Sequence, residues 1–325
     1  MLLPGHEPSG ERRKPSGLDV DELEHLLIRV QDGVVSRRQL RELGACDHDI
    51  ARMVRRRDLV AAHPGVYVAH TGELTWVERA WVAVLGCWPA ALSHQSALPN
   101  SPSDGLIHVA IHHRRSVRAP ARVVVHRMAD FDERTNWMLS PPRVRLEHTA
   151  VDVALTKASV ADKFRVLADA CQTRETTAGA ILDALTSRRR VADRSLLVEL
   201  LEDLATGACS VLEREYLRLE RAHGLPDARR QLADRLAGCT VHRDVAYADF
   251  GVTVELDGMA FHDNARARDD DAERDLDTLV AADSITVRLT YRQVFDRGCE
   301  TIAKIAALLR RRGWPGPFAR CPDCP

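Results

Sequence analysis

Aromatic residues are scarce. Phe, Trp and Tyr make up 5% of the chain, so its cores must be built mainly from Leu, Val, Ile and Ala. Long hydrophobic runs are missing too. The longest, Trp81 to Leu92, contains Pro89 and falls short of the roughly 20 residues a membrane-spanning helix needs. Neither sign of charge is in excess, with 46 Lys and Arg against 47 Asp and Glu. That balance excludes a uniformly basic nucleic-acid coat and leaves local basic patches open. The stretch MLLPGHEPSGERRKPSG has no apolar run after its charges and does not read as a secretory signal. A cytoplasmic protein with no membrane association is expected.

Cysteine is not concentrated either. Eight are spread over 325 residues, whereas small disulfide-stapled secreted domains cluster theirs. The one close pair is Cys321-Pro-Asp-Cys324. Two thiolates fall short of the four ligands that structural zinc takes. Cys299 or a distant His would be needed to complete the set, so residues 315–325 read more simply as a solvated tail.

The length is about twice that of a typical domain of roughly 150 residues. The 45% hydrophobic content suits globular cores. Residues 1–18, rich in Pro, Gly and Arg, read as a disordered tail. From Asp19 to His70 the order is three helices, then a hairpin. Leu23, Leu26, Leu27 and Val30 form a helical stripe. Ser36 looks like the N-cap of a second helix that ends at Gly44. Asp47 is positioned to cap a third over 48–57, with Ile50, Met53 and Val54 inward. Residues 59–62 and 66–68 flank His63-Pro64-Gly65, a strand–turn–strand signal.

Two short helices followed by a β-wing spell a winged helix-turn-helix over 19–70. The third helix carries Arg52, Arg55, Arg56 and Arg57, and the second carries Arg37, Arg38 and Arg41. Arginines so placed can neutralise phosphates while a recognition helix enters the major groove of double-stranded DNA. A charge run by itself is more often a solvated face; the helix pair and wing tilt the reading toward DNA. The text GVVSRRQLRELGACDHDIARMVRRRDLVAAHPGVYV, with its "HPGVY" wing, resembles the N-terminal domain of type IV (AbiEi-like) toxin–antitoxin antitoxins over roughly fifty residues. The resemblance implies sequence-reading DNA binding at the protein's own promoter, and a toxin operon partner.

Residues 71–207 read as a mixed α/β linker domain: a helix at 76–85, a short one at 93–98, strands at 107–112 and 123–126, and several helices over 151–204. His108 and His112 share a strand face by parity. With His113 and His126 nearby in sequence but no further ligands at a metal spacing, they read as polar-face histidines.

The chemistry concentrates in residues 208–314. A helix over 211–223 stops at Gly224, and strands at 240–247 and 252–256 flank Ala248-Asp249-Phe250-Gly251. A four-residue loop pairs Tyr247 with Val252, which sets Asp244 opposite Glu255. Directly opposed side chains share a face. Alternation adds Asp257 to that face and sends Val252, Val254 and Leu256 to the core. Three crowded carboxylates either sit on an exposed, screened surface or coordinate a divalent cation. Mg²⁺ (or Mn²⁺) uses such carboxylates together with phosphate oxygens and activates water for in-line attack. The aligned acids favour the metal. Glu213, at the margin of the Leu212–Tyr216–Leu219 stripe, could face the cluster or sit half-exposed.

The helix with Glu213, then Gln231, Asp244, Glu255-Leu256-Asp257-Gly258, His262 and a strand at Thr286–Thr290 resemble the Vsr-like endonuclease domain of the PD-(D/E)XK superfamily over about one hundred residues. The resemblance implies that Asp244 and Glu255 are Mg²⁺ ligands, with Asp257 beside them in the slot that usually holds lysine. Arg243 stands where the motif name places proline. His262 could then activate water or contact the leaving group, as its unperturbed pKa near ~6.5 allows. Residues 266–280 read as a charged, solvated helix, and Arg288 opposes the buried face of the last strand as a phosphate contact.

The expected fold is α/β (multidomain α+β): a winged helix, a mixed middle region and a restriction-endonuclease-like α/β domain. The expected function is DNA binding with Mg²⁺-dependent endonuclease-like activity, catalysed by Asp244, Glu255, Asp257, His262 and Glu213. The alternative is an antitoxin-type transcriptional regulator whose nuclease-like domain is inactive.

Overall fold

Capping chemistry places the first helices. The computed structural model describes residues 17–99, 101, 105–206, 210–236, 239–256, 276, 280, 284–322 and 324, and only the backbone of those between 231 and 244. Helix α1 (Val20–His25) starts where Asp19 accepts from the Glu22 amide, and a π-helical turn over Leu26–Val30 extends it. Strand β1 (Val34–Ser36) leads into α2 (Arg37–Glu42), which opens on a reciprocal Ser36–Gln39 capping box. Its exit at Gly44 has φ +94°, the left-handed region where glycine is cheapest.

Helix α3 (Asp47–Arg56) differs in two details from the sequence expectation. Its N-cap is Cys46, whose amide and thiol both donate to Asp49, so Asp47 is the first helical residue rather than the cap. Val54 is 36% exposed, because Ile50 and Met53 centre the buried stripe and Leu59 takes the next core place. Arg57 turns left-handed at φ 65° to bring Leu59 there. Strands β2 (Val60–His63) and β3 (Val66–Val68) form the hairpin around Gly65. The sheet order is β1-β3-β2, all antiparallel.

Helix α4 (Trp76–Gly86) begins on a Thr75–Glu78 capping box and is apolar nearly all round. It is buried on both sides, between Val34, Val66 and Val68 of the first sheet and Leu92, Val109 and Ile111 of a second. That second sheet joins β4 (Ala91–Leu92), β5 (Ile107–His112), β6 (Val123–Met128), β7 (Thr135–Asn136) and β8 (Arg143–Val144) in the order β6-β5-β4-β8-β7, with α5 (Phe131–Arg134) before β7. On it, His108 Nδ1 lies 2.9 Å from His126 Nε2 and the His94 ring stacks on His126.

The chain forms two compact units that part at Thr149/Ala150, within α6 (Leu146–Leu155). Residues 19–70 therefore share unit 1 with the strands of the middle region. The helices after 150 share unit 2 with the C-terminal third.

In unit 2, α7 (Val160–Gln172), α8 (Ala178–Thr186) and α9 (Arg194–Thr206) precede α10 (Ser210–His223). Buried Asp203 holds the start of α10, accepting from the Ser210 hydroxyl at 2.5 Å and the Val211 amide at 3.0 Å. A mixed sheet follows: β9 (Arg229–Leu236), β10 (Cys239–Tyr247), β11 (Val252–Leu256) and β12 (Ile285–Leu289), ordered β12-β11-β10-β9. Only β11 and β12 are parallel. Strand β9 has no counterpart among the sequence expectations. On β12, Leu289 is fully buried while Ile285 and Val287 are half-buried, so its core face is looser than alternation implies. The closing helix is α11 (Gly298–Arg311). A Cβ on Gly298 would come 2.9 Å from Leu219 Cδ1, so the α10–α11 contact needs glycine there.

Of residues 315–325, expected as a solvated tail, the described residues 315–322 and 324 return to the body of unit 2. The Ala319 amide donates to the His223 carbonyl at 3.0 Å, and the Phe318 ring stacks 5.1 Å from the His223 ring. Pro315 and Pro317 cannot continue α11, and an apolar ring on a buried imidazole gives the segment its landing place.

Unit 1 carries the groups that set its response to acid. Burial, joined at His63 by Arg118, holds His63 and His108 below the ordinary histidine range. Hydrogen bonds from Arg37 and Arg41 depress Asp47, and bonds from Cys46 depress Asp49. For Glu78 burial works upward, but Thr75 and His70 outweigh it and the net direction is down. Every one of these groups binds its proton more readily in the unfolded chain, so stability is lost as pH is lowered. The loss should come in two stages, one starting near pH ~6.5 and one near ~4. Thermal melts of the full chain across pH should show both, and His63→Gln/His108→Gln should flatten the first.

Candidate functional site

The first candidate surface is the outer face of α2 and α3. Burying Ile50 and Met53 inward leaves Arg52, Arg55, Arg56 and Arg57 exposed. The arginines of α2 are already engaged. Arg37 and Arg41 both reach Asp47, at 2.8 and 2.6 Å. Arg38 binds Glu42 at 2.7 Å and lies 5.0 Å above the Trp88 ring. On α3, Arg52 pairs with Asp49 at 3.0 Å and Arg56 stands 3.7 Å from Asp58. Arg55 and Arg57 make no ion pair among the described residues. The positive charge that α2 and α3 present is therefore weighted toward the C-terminal end of α3.

The second candidate lies on the sheet of unit 2. The pairs Val245–Val254, Ala246–Thr253 and Tyr247–Val252 have the register expected from a four-residue loop. Continued by one residue, that register sets 244 against 255. Asp244 lies on β10, with its side chain outside the described residues, and Asp257 and His262 lie outside them altogether. Glu255 is half-buried, and its Oε2 stands 3.0 Å from Arg288 Nε. The parallel pairing of β11 with β12 puts Arg288 directly beside Glu255. Sequence reasoning surrounded Glu255 with acids on its β10 side and assigned Arg288 to phosphate. The structure adds a guanidinium on its other side.

Helix α10 is fastened to this sheet by a buried polar network absent from the sequence reading. Glu220, 5% exposed, accepts from the Tyr247 hydroxyl at one oxygen and from the Arg230 guanidinium at the other. Tyr216 and Tyr247 hydroxyls lie 3.1 Å apart, and burial pushes both phenols well up. Glu213 is half-buried on the same helix, one turn before Tyr216. The network holds the helix that carries Glu213. One signal for it was available: in a chain with only four tyrosines, two on facing elements invite pairing.

Among the described residues one set of side chains is grouped as metal ligands, and it is not the acidic set. It joins His223, Cys299, Cys321 and Cys324. His223 ends α10, about 15 Å along the axis from Glu213 at 1.5 Å per residue. Sulfur and imidazole donors do not suit Mg²⁺, which takes oxygen. No protein-family model matches the chain, and no curated protein matches it.

The network makes Tyr247 a test of how α10 is held. Tyr247→Phe keeps the ring and leaves Glu220 short of one buried donor. It should cost about 1–3 kcal/mol, read as a lower urea midpoint for unit 2. An unchanged midpoint would mean that packing alone seats α10.

Proposed function

We propose that the protein binds double-stranded DNA through a winged helix over residues 19–70 and that its C-terminal third is an endonuclease-like domain using Mg²⁺ or Mn²⁺. The observation that carries the first part is the α3 face. A helix whose inner stripe is buried carries three exposed arginines, with a fourth, Arg57, at its C-cap, followed by an antiparallel hairpin turning at Gly65. A recognition helix with a wing docks in that way, with arginines on phosphates and base edges. Supporting the second part is the β10–β11 register, which, continued by one residue beyond Val245–Val254, would set 244 against Glu255 as a two-carboxylate metal site requires. In this reading Asp244, Glu255 and Asp257 hold the metal, His262 moves a proton, and Glu213 completes the acidic edge.

A second reading has its own observation. Glu255 is already neutralised by Arg288 at 3.0 Å, an arrangement that suits an inactive domain. The protein would then be an antitoxin-type transcriptional regulator, with a toxin encoded in the same operon as its partner.

Two measurements separate these readings. Nicking of supercoiled plasmid by the full chain, in Mg²⁺, Mn²⁺ or EDTA, is expected with either metal and absent in EDTA. Glu255→Gln should lower it by at least the roughly 10–100-fold typical when a group supporting a metal is lost. Because Glu255 gives up a partly exposed ion pair, melting without metal should stay level or fall slightly, by up to about 1 kcal/mol. Absence of nicking in every metal would favour the regulator.

Binding is tested separately. Arg55→Ala/Arg56→Ala should weaken DNA affinity and reduce the log–log salt slope by up to roughly two, about one per lost phosphate contact. Superimposable salt series for variant and parent would remove α3 from the interface.

A further inference from the structure

Three separate stretches of unit 2 bring soft ligands to one point. Helix α10 ends on His223, α11 begins with Gly298-Cys299, and the segment after α11 supplies Cys321 and Cys324. The ligand atoms of all four lie within 4.8 Å of one another. Cys299 Sγ is 3.6 Å from Cys321 Sγ, Cys321 Sγ is 3.8 Å from Cys324 Sγ, and His223 Nε2 is 3.4 Å from Cys324 Sγ. These spacings can be compared with a coordination tetrahedron. With Zn–S near ~2.3 Å and Zn–N near ~2.0–2.1 Å, its S···S edge is about 3.8 Å and its S···N edge about 3.5 Å. These three edges lie within about 0.2 Å of those values.

The histidine is prepared for the role. His223 is fully buried, and its Nδ1 lies 2.9 Å from the Leu219 carbonyl. That carbonyl can only accept, so Nδ1 carries the hydrogen and Nε2 presents its lone pair to the cysteines. Backbone carbonyls fix the tautomer of metal-binding histidines in the same way. Phe318 stacks on the ring and the Ala319 amide binds the His223 carbonyl, so the segment bearing Cys321 and Cys324 is docked at the imidazole. Cys299 lies in the first turn of α11, which places its Sγ beside that of Cys321.

We propose that His223, Cys299, Cys321 and Cys324 bind one Zn²⁺ as a closed, tetrahedral Cys3His structural site. Three thiol protons pass to solvent as the ion binds, and no electron is transferred. With four protein ligands no position is open to water or substrate, so the ion fastens chain and takes no part in hydrolysis. It ties the C-terminal segment to the junction of α10 and α11. This inference does not rest on the proposed nuclease reading, whose ligands are carboxylates elsewhere on the unit.

The test uses the full chain purified without added metal or chelator. Elemental analysis is expected to find about one zinc per chain, and Cys321→Ser/Cys324→Ser should lose it. Replacement by Co²⁺ should give the visible bands of tetrahedral cobalt together with thiolate charge transfer. Cys324→His keeps a four-ligand set and should retain both metal and spectrum, which a thiol or disulfide role would not survive. Chelation by phenanthroline should lower the melting temperature by several degrees and raise the count of reactive thiols by three. Protein that carries no zinc, takes up no tetrahedral cobalt, and shows the same thiol count with and without chelator would overturn the site. So would full zinc retention in Cys321→Ser/Cys324→Ser.

Discussion

Unit 2 depends on one buried carboxylate. Glu220 takes the Tyr247 hydroxyl and the Arg230 guanidinium, so a single side chain of α10 is joined to β10 and to β9 at once. A charge taken out of water in this way is costly unless its oxygens are satisfied, and both of these are. The other attachments of α10 follow from that seat. Asp203 takes the Val211 amide and the Ser210 hydroxyl at its start, Gly298 admits Leu219 for the packing of α11, and His223 at its last turn meets the returning C-terminal segment. Helix, sheet and terminus are registered by polar contacts at fixed positions along fourteen residues. Apolar packing between smooth Leu and Ala surfaces would not specify that register so narrowly.

The near-zero net charge has a local counterpart in unit 1. Asp47 draws in Arg37 and Arg41, Glu42 holds Arg38, and Asp49 holds Arg52. Exposed pairs of this kind add little stability, about 0–1 kcal/mol each. Their effect is on the field: they cancel positive charge on α2 and at the start of α3 and leave it at the end of α3. The balance of acids and bases in the whole chain thus coexists with a directed cationic edge.

Local chemistry was legible in the sequence, and long-range partnership was not. The Ser36 cap, Gly44, the hairpin at Gly65 and the β10–β11 register are each set by neighbours within a few residues, and each appears in the structure where expected. The cap of α3 moved by one residue because Asp47 is claimed by two arginines from the preceding helix, a tertiary demand that local propensity does not contain. Strand β9 was missed because Arg229 to Leu236 lacks the β-branched residues that mark strands, and it is defined by pairing with β10. The Cys321–Cys324 pair was read as part of a solvated tail, because two thiolates alone fall short of a zinc set. Its completion needed His223, about one hundred residues upstream, which no spacing rule connects to it.

The Glu255–Arg288 pair bears on both functional readings, and its exposure decides how much weight it carries. The two side chains are 26% and 30% exposed, so water screens the attraction and the net worth is about 1 kcal/mol at most. A divalent cation held by two carboxylates and phosphate oxygens gains far more than that, because its own charge dominates the local field. In the nuclease reading the pair is therefore no obstacle. Metal at Glu255 would release the guanidinium, and an incoming phosphate would be its natural new partner. In the regulator reading the pair endures because nothing displaces it. What divides the two readings is then the number of acids that gather at Glu255 from β10 and from the end of β11. A single carboxylate is satisfied by Arg288, whereas two or three leave an excess of negative charge that only a cation removes.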